Sequence, residues 1–248
     1  MRFPRLALLI FLFPVGCPFH GAPPHAPSVQ ETAFAYRLKD QLDKKGYALY
    51  SCAVLAGNYQ GDTLLFRRYR TLLRALRNNL LPEEATTRFE VDPAKINLTQ
   101  WPLKWKTKRE LERSIASPLW DSLLVAGYDY DWALALSSSV GLVNQSGPFL
   151  VTSLSPLNPY GTKGIDSLLI VNMTDINEAF FPQIVLQFKT RVKEDPETWQ
   201  GHRLSDFQIK LRNFFEYTCP VKCEYYTKQA KSVIEIVDGI LGWVKPGK

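Results

Sequence analysis

The feature that most constrains the fold is an apolar, β-prone run followed closely by a long helical stripe of leucines. Residues Tyr47–Leu55 (YALYSCAVL) are almost continuously apolar, which is typical of a strand buried on both faces. Within Thr63–Leu80, apolar side chains recur every three or four residues, which predicts an amphipathic helix that ends before Pro82. A buried strand and an amphipathic helix in succession predict a layered α/β fold, in which each element covers the apolar side of the other.

The rest of the chain continues this alternation and then becomes mostly helical. Pro148–Ser155 and Ser167–Met173 are predicted strands, close enough in sequence to pair antiparallel. Ile96–Trp105 is a further predicted strand, and Pro102 favours an edge position or a bulge because proline donates no ladder hydrogen bond. More helices are predicted at Val29–Lys44, Lys108–Ala116, Tyr130–Val140, Ile176–Val192, Leu204–Phe214 and Ala230–Val244. The expected fold is α/β: a mixed sheet of about four strands with amphipathic helices packed on its faces, and a helical C-terminal half.

Residues 1–17 are expected to be an export signal. Two arginines precede the apolar run Leu6–Phe13, and its eight residues would rise only about 12 Å as a helix, too little for the roughly 30 Å hydrocarbon core of a bilayer. Val15-Gly16-Cys17 resembles a bacterial lipobox, which implies lipid attachment at Cys17. The alternative is cleavage by ordinary signal peptidase and release as a free protein.

Residues 18–28 (PFHGAPPHAPS) are expected to be an extended linker, because four prolines in this stretch prevent regular structure. Residues 29–248 show no internal repeat or shift in composition, which predicts one α/β domain. This order of segments indicates an exported protein, either periplasmic or held at a membrane by lipid, with no transmembrane helix.

Charge and histidine content exclude several classes of function. The net charge of +6 is a mild excess and lacks the clustering of a nucleic-acid binder. His202 is the one histidine outside residues 1–28, so zinc sites built on several histidines are excluded and a catalytic triad would depend on it alone. No glycine-rich phosphate-binding motif occurs, and no metal or cofactor is expected.

Three cysteines belong to the predicted domain. Cys219 and Cys223 are four residues apart between two predicted helices, and in an oxidising compartment we expect them to form a disulfide. Free thiols or a redox-active pair are the alternatives. Cys52 would then remain as a thiol.

Four arginines lie on one face of the Thr63–Leu80 helix, opposite its leucine stripe: Arg67, Arg70, Arg74 and Arg77. One interpretation is a solvated helix face that carries long charged side chains. The other is a face that docks on an anionic envelope component or an acidic partner protein, because guanidinium groups match phosphate and carboxylate in geometry.

Acidic residues near predicted helix starts have two interpretations. Asp129, Asp131 and Asp175 could act as acid or base in a hydrolase, but each also lies where a carboxylate caps a helix, and we favour caps. The leading hypothesis is therefore an exported, envelope-associated binding or scaffolding protein. A carboxylate-based hydrolase acting outside the cytoplasm is the alternative, and a eukaryotic glycoprotein with N-x-[ST] sequons at Asn97, Asn144 and Asn172 is a third.

Overall fold

The computed structural model describes residues 29–57, 59–140, 142, 147–160, 168–174, 176–194 and 241–242. Its strands are β1 (Glu31–Arg37), β2 (Leu49–Val54), β3 (Leu81–Pro82), β4 (Ile96–Pro102), β5 (Phe149–Ser153), β6 (Leu168–Asn172) and β7 (Leu241–Gly242). Its helices are α1 (Thr63–Asn79), α2 (Glu83–Arg88), α3 (Lys108–Ala116), α4 (Trp120–Ala126), α5 (Tyr130–Ser139) and α6 (Phe181–Glu194). Short 3₁₀ turns at Pro93–Lys95 and Glu178–Phe180 precede β4 and α6.

These strands form one mixed sheet in the order β3-β1-β4-β2-β5-β6-β7. The strands β3, β1, β4 and β2 are parallel, whereas the β2–β5, β5–β6 and β6–β7 pairs are antiparallel. The α/β class, the mixed sheet and the antiparallel β5–β6 pair predicted from the sequence are confirmed. The predicted number of about four strands was too low, and the predicted helices after residue 194 lie outside the described residues.

The helix predicted at Val29–Lys44 was wrong, because Glu31–Arg37 is strand β1. Its pairing with β4 extends over the whole strand, from Glu31 opposite Ile96 to Arg37 opposite Pro102. Ala33 and Ala35 are buried on one face and Phe34 is buried on the other. Alanine favours helices in isolation, but burial on both faces and a full ladder of hydrogen bonds outweigh that local preference.

The edge position predicted for the Ile96–Trp105 strand was also wrong. Strand β4 is central, between β1 and β2, and all seven of its residues are buried. Pro102 is tolerated because it is the last residue of the strand, and the next amide, that of Leu103, donates to the Arg37 carbonyl at 2.8 Å. The short helix α4 was not predicted, because seven residues give too little periodicity to recognise.

Helix α1 confirms the leucine stripe. Asp62 caps it by accepting a hydrogen bond from the Leu65 amide at 2.8 Å. The buried residues of α1 are Leu65, Tyr69, Leu72, Leu73, Ala75 and Leu76, and α1 packs against α4 and α6. Burying each leucine contributes about 2 kcal/mol of transfer free energy, so this face fixes the helix on the sheet.

Helix α6 contains most of the second predicted stripe. Ile184, Phe188 and Val192 are buried, while Phe180 in the preceding 3₁₀ turn is half-buried. The helix begins at Phe181 rather than at Ile176, because Asn177 caps the 3₁₀ turn by accepting from the Ala179 amide. Leu204–Phe214, the third predicted core stripe, lies outside the described residues.

Candidate functional site

The carboxyl ends of β1, β4 and β2 lie at one edge of the sheet, which we call the carboxyl edge. A turn at residues 128–132 lies across it: the Asp129 amide donates to the Pro102 carbonyl at 3.1 Å, and Tyr128 forms a β-bridge with Leu103. The Tyr128 hydroxyl donates to the Ala53 carbonyl at 2.7 Å. Open α/β sheets generally bind ligands outside the carboxyl ends of their strands, so this edge is the natural candidate site.

A cluster of tyrosines holds this turn in place. The ring centroid of Tyr130 lies 4.9 Å from that of Tyr128, 5.4 Å from that of Tyr59 and 6.4 Å from that of Tyr69. Desolvation raises the pKa of Tyr69, Tyr128 and Tyr130 well above its ordinary value. The hydroxyls therefore stay protonated at physiological pH and serve as hydrogen-bonding anchors.

Beside this turn, an acidic cleft of about 450 Å³ lies at the ends of β1 and β4. Arg37 lines it, donates to the Asp43 carboxylate at 2.9 Å and lies over the Trp132 ring at 5.1 Å from its centroid. Asp40, Asp43, Asp129 and Asp131 contribute four carboxylates, against the two cations of Arg37 and Lys39. Its rim carries exposed apolar surface from Leu42 and Tyr160.

Only one of the two aspartates in the turn is committed to capping a helix. Asp129 is the N-cap of α5, and its Oδ1 accepts from the Trp132 amide at 3.1 Å, which confirms the predicted cap. The cap predicted at Asp131 was wrong, because Asp131 lies inside the first turn of α5 and not at its N-cap. Its side chain is exposed and lines both the acidic cleft and a neighbouring cleft. Asp131 is therefore the carboxylate of this turn that is accessible to a ligand.

The neighbouring cleft, which we call the tyrosine cleft, has a volume of about 320 Å³ and lies at the ends of β2 and β4. Tyr59 and Tyr130 supply its aromatic surface, and Gln60, Lys104 and Asp131 supply polar groups. Aromatic surface combined with a few polar groups is a common composition of a small-ligand site.

A third, basic cleft of about 480 Å³ shares Lys104 with the tyrosine cleft. It is lined by Trp105 and by the charged side chains Lys104, Lys106, Arg109, Glu110 and Arg113. Lys106 pairs with Asp40 of the acidic cleft at 3.4 Å. The three clefts are therefore neighbours along the carboxyl edge, and the basic cleft adjoins both of the others.

The arginines of α1 have partners within the chain. Arg70 and Arg74 share the carboxylate of Asp121 on α4, through contacts of 2.9 Å and 2.5 Å to its Oδ2. Arg77 lies over the Trp120 ring at 4.3 Å, and Arg67 pairs with Glu178 at 2.6 Å. These contacts fasten α1 to its neighbours, while the side chains of Arg67 and Arg74 remain 64% and 54% exposed.

Asp121 was not recognised from the sequence, although it is the most deeply buried charged group of this cluster. Its side chain is 2% exposed, and burial by itself would raise the pKa of its carboxyl. The hydrogen bond from Arg70, the Ser122 amide and the charges of Arg70 and Arg74 more than offset that effect and hold the pKa below its ordinary value. Asp121 therefore stays ionised inside the fold.

Arg68 also acts within the chain. Its guanidinium donates to the carbonyls of Met173, Thr174 and Ile176 at 2.6–2.7 Å and lies over the Phe181 ring. It ties α1 to the connection between β6 and α6.

Several predicted site residues lie outside the described residues: Cys17, Asp175, His202, Cys219 and Cys223. Cys52 is fully buried in β2, and desolvation raises the pKa of its thiol. Asn97 is buried in β4, where it accepts a hydrogen bond from Ser51, so this sequon lies inside the fold. Among the described residues, no group of three or more histidine, cysteine, aspartate or glutamate side chains is placed to hold a metal ion.

Comparison of the chain with protein-family models, curated proteins and solved structures found no match in any of the three. Within the part of the chain that the structure describes, no helix combines the length and apolar character needed to cross a membrane.

Proposed function

We propose that this chain is an exported, envelope-associated binding protein whose domain holds a polar ligand at the carboxyl edge. The observation that carries the proposal is the convergence of the acidic and tyrosine clefts on Asp131, at the edge where α/β sheets bind ligands. The excess of carboxylates over cations and the exposed apolar rim of the acidic cleft suit a ligand that carries amino or hydroxyl groups.

The capping role of Asp129 favours binding over catalysis. A carboxylate that accepts from the amide of its own helix is held in place by that bond, whereas a catalytic acid or base must reach the substrate. The export signal, the linker and the lipid anchor at Cys17 remain part of the proposal. They place the binding domain at the cell envelope.

Isothermal titration calorimetry with the purified full chain tests the binding site. The probes are trilysine, which presents amino groups, and a short oligomer of N-acetylglucosamine, which presents hydroxyl and amide groups. We expect one of them to bind with a dissociation constant below about 1 mM and Asp131→Asn to weaken binding at least about fivefold, because the variant loses a charged acceptor.

Glu84→Gln is the matched control, because Glu84 is an exposed carboxylate on α2 that lines none of the three clefts described above. Equal affinities for Asp131→Asn and Glu84→Gln, or no saturable heat with either probe, would contradict binding at the carboxyl edge.

A carboxylate-based hydrolase is the second candidate, and it is favoured by one observation. Asp129 and Asp131 line the same cleft, as the acid and base of such an enzyme must. Incubating the oligosaccharide probe with the protein and analysing the products decides between the two. Turnover that is lost in Asp131→Asn supports hydrolysis, and binding without turnover supports the binding protein.

A further inference from the structure

Five exposed cations lie in ten residues that follow β4 and form the start of α3. They are Lys104, Lys106, Lys108, Arg109 and Arg113, and the two carboxylates in the same stretch are Glu110 and Glu112. We call this stretch, Lys104–Arg113, the basic surface. It carries an excess of three positive charges.

The basic surface is poorly neutralised from within the fold. Lys104, Arg109 and Arg113 make no ion pair with any described residue. The two ion pairs that do form, Lys106–Asp40 at 3.4 Å and Lys108–Glu112 at 3.8 Å, join side chains that are all more than 60% exposed. Pairs as exposed as these contribute little and are screened by salt, so the cations stay available to an external anion.

Unlike the cations of the basic surface, the arginines of α1 have partners inside the fold. Arg70 and Arg74 share buried Asp121, and Arg77 lies over Trp120. Binding an external anion at α1 would compete with these internal contacts, whereas binding at the basic surface breaks no buried contact. The basic surface is therefore the better docking face.

The fold holds the backbone of the basic surface in place. Trp105 packs against Gly127 so closely that its ring leaves no room for a Cβ at Gly127. The Lys104 amide donates to the Gly127 carbonyl at 2.9 Å, and Thr107 and Glu110 form a capping box at the start of α3. The cations are thus presented together on a fixed scaffold, so little backbone entropy is lost when they meet a charged surface.

We infer that the basic surface docks the domain on an anionic lipid bilayer. Each lysine or arginine near such a surface contributes about fivefold to partitioning, which corresponds to about 1 kcal/mol. An excess of three charges then gives roughly 100-fold preference for an anionic bilayer over a neutral one. The inference rests on the envelope location in the proposed function, and it adds a second, salt-sensitive contact to the lipid anchor.

The expected linker would be long enough for both contacts to form together. Eleven residues, the length of the stretch 18–28, would reach about 34 Å as an extended polyproline helix. This stretch joins the domain before β1, at the edge opposite the carboxyl edge, and a seven-residue strand is about 23 Å long. An anchored Cys17 therefore leaves the basic surface free to reach the same bilayer.

Vesicle sedimentation with the full chain carrying Cys17→Ser tests the basic surface without the anchor. The vesicles contain either pure phosphatidylcholine or phosphatidylcholine with one third phosphatidylglycerol. We expect binding to the anionic vesicles alone at low salt, and a loss of at least tenfold in 0.5 M NaCl because of screening. Removing two charges with Arg109→Gln/Arg113→Gln should weaken binding about 25-fold.

The charge-matched control is Arg67→Gln/Arg74→Gln on α1, with folding of every variant checked by circular dichroism. Less than threefold weakening in this control supports the basic surface. Equal weakening in both double variants, binding that persists in high salt, or equal binding to neutral vesicles overturns the inference. Asp131→Asn should not weaken vesicle binding, because it removes a negative charge near Lys104, so failure of bilayer docking is distinguishable from failure of ligand binding at the carboxyl edge.

Discussion

Asp121 offers the sharpest test of how α1 is fastened to α4. Its Oδ2 accepts from Arg70 Nε at 3.0 Å, and Arg70 Nη2 and Arg74 Nη2 also contact it, while its Oδ1 accepts from the Ser122 amide at 2.7 Å. Asp121→Asn retains an acceptor for the Ser122 amide but loses the charge. Breaking a buried ion pair costs about 3–5 kcal/mol, and a charge-assisted hydrogen bond contributes about 1.5–3 kcal/mol.

The cost of Asp121→Asn should lie near the lower end of the range for a buried ion pair, because Arg70 and Arg74 are 31% and 54% exposed and can regain water. We expect the free energy of unfolding to fall by about 2–3 kcal/mol, and the melting temperature by about 4–12 °C. Urea unfolding followed by circular dichroism measures the change. Glu112→Gln, which breaks the exposed pair with Lys108, should change the free energy of unfolding by less than about 0.5 kcal/mol.

The difference in free energy of unfolding between wild type and Asp121→Asn should also depend on pH. Because the pKa of Asp121 is lower in the folded state than in the unfolded state, the unfolded state binds more protons in acid. The stabilisation by Asp121 is therefore complete above about pH 5 and is lost as pH falls below about 3.9 and through the folded-state pKa. A difference below about 1 kcal/mol at pH 7, or one that does not shrink in acid, would refute the proposed role of this ion pair.

Three further predictions concern the anchor, the thiols and the turn. Wild-type protein should sediment with membranes in high salt, and Cys17→Ser should lose this salt-resistant fraction. A wild-type protein that does not sediment with membranes at all would contradict lipid attachment. Thiol titration of the unreduced mature domain, without Cys17, should find no reactive Cys52 thiol in the native state, because Cys52 is fully buried, and one thiol in all after denaturation; three thiols would exclude the bond between Cys219 and Cys223. Tyr128→Phe should lower the free energy of unfolding by about 2 kcal/mol in urea denaturation, because it removes buried hydrogen bonds to the Ala53 carbonyl and the Leu55 amide; an unchanged value would show that the hydroxyl contributes nothing.

The fold was predictable where local pattern and tertiary environment agree. The leucine stripe of α1 has a helical period, and the apolar run of β2 is short and β-prone, which favours a buried strand over a helix. Strand β1 was missed because its alanines and charged flanks favour a helix locally, and only its neighbours β3 and β4 make an extended conformation stable. Its partners begin more than 40 residues later in the chain, beyond the reach of any local pattern.

The candidate site was predictable only in part. The cap at Asp129 follows from a carboxylate just before an apolar helix. The contact of Arg70 with Asp121 spans 51 positions, so the sequence shows the arginine face but not its internal partners. The cations of Lys104–Arg113 are visible in the sequence, yet only the structure separates cations with buried partners from those without them.

The insertion of β4 between β1 and β2 has a consequence for the order in which the chain can fold during synthesis. A nascent chain that ends before Ile96 contains β1 and β2 but not the strand that joins them, so neither can bury both of its sides. More than a third of the polypeptide must emerge from the ribosome before the sheet can close. This delay would suit the proposed export, because a nascent chain whose sheet has not closed can still thread through a translocation channel.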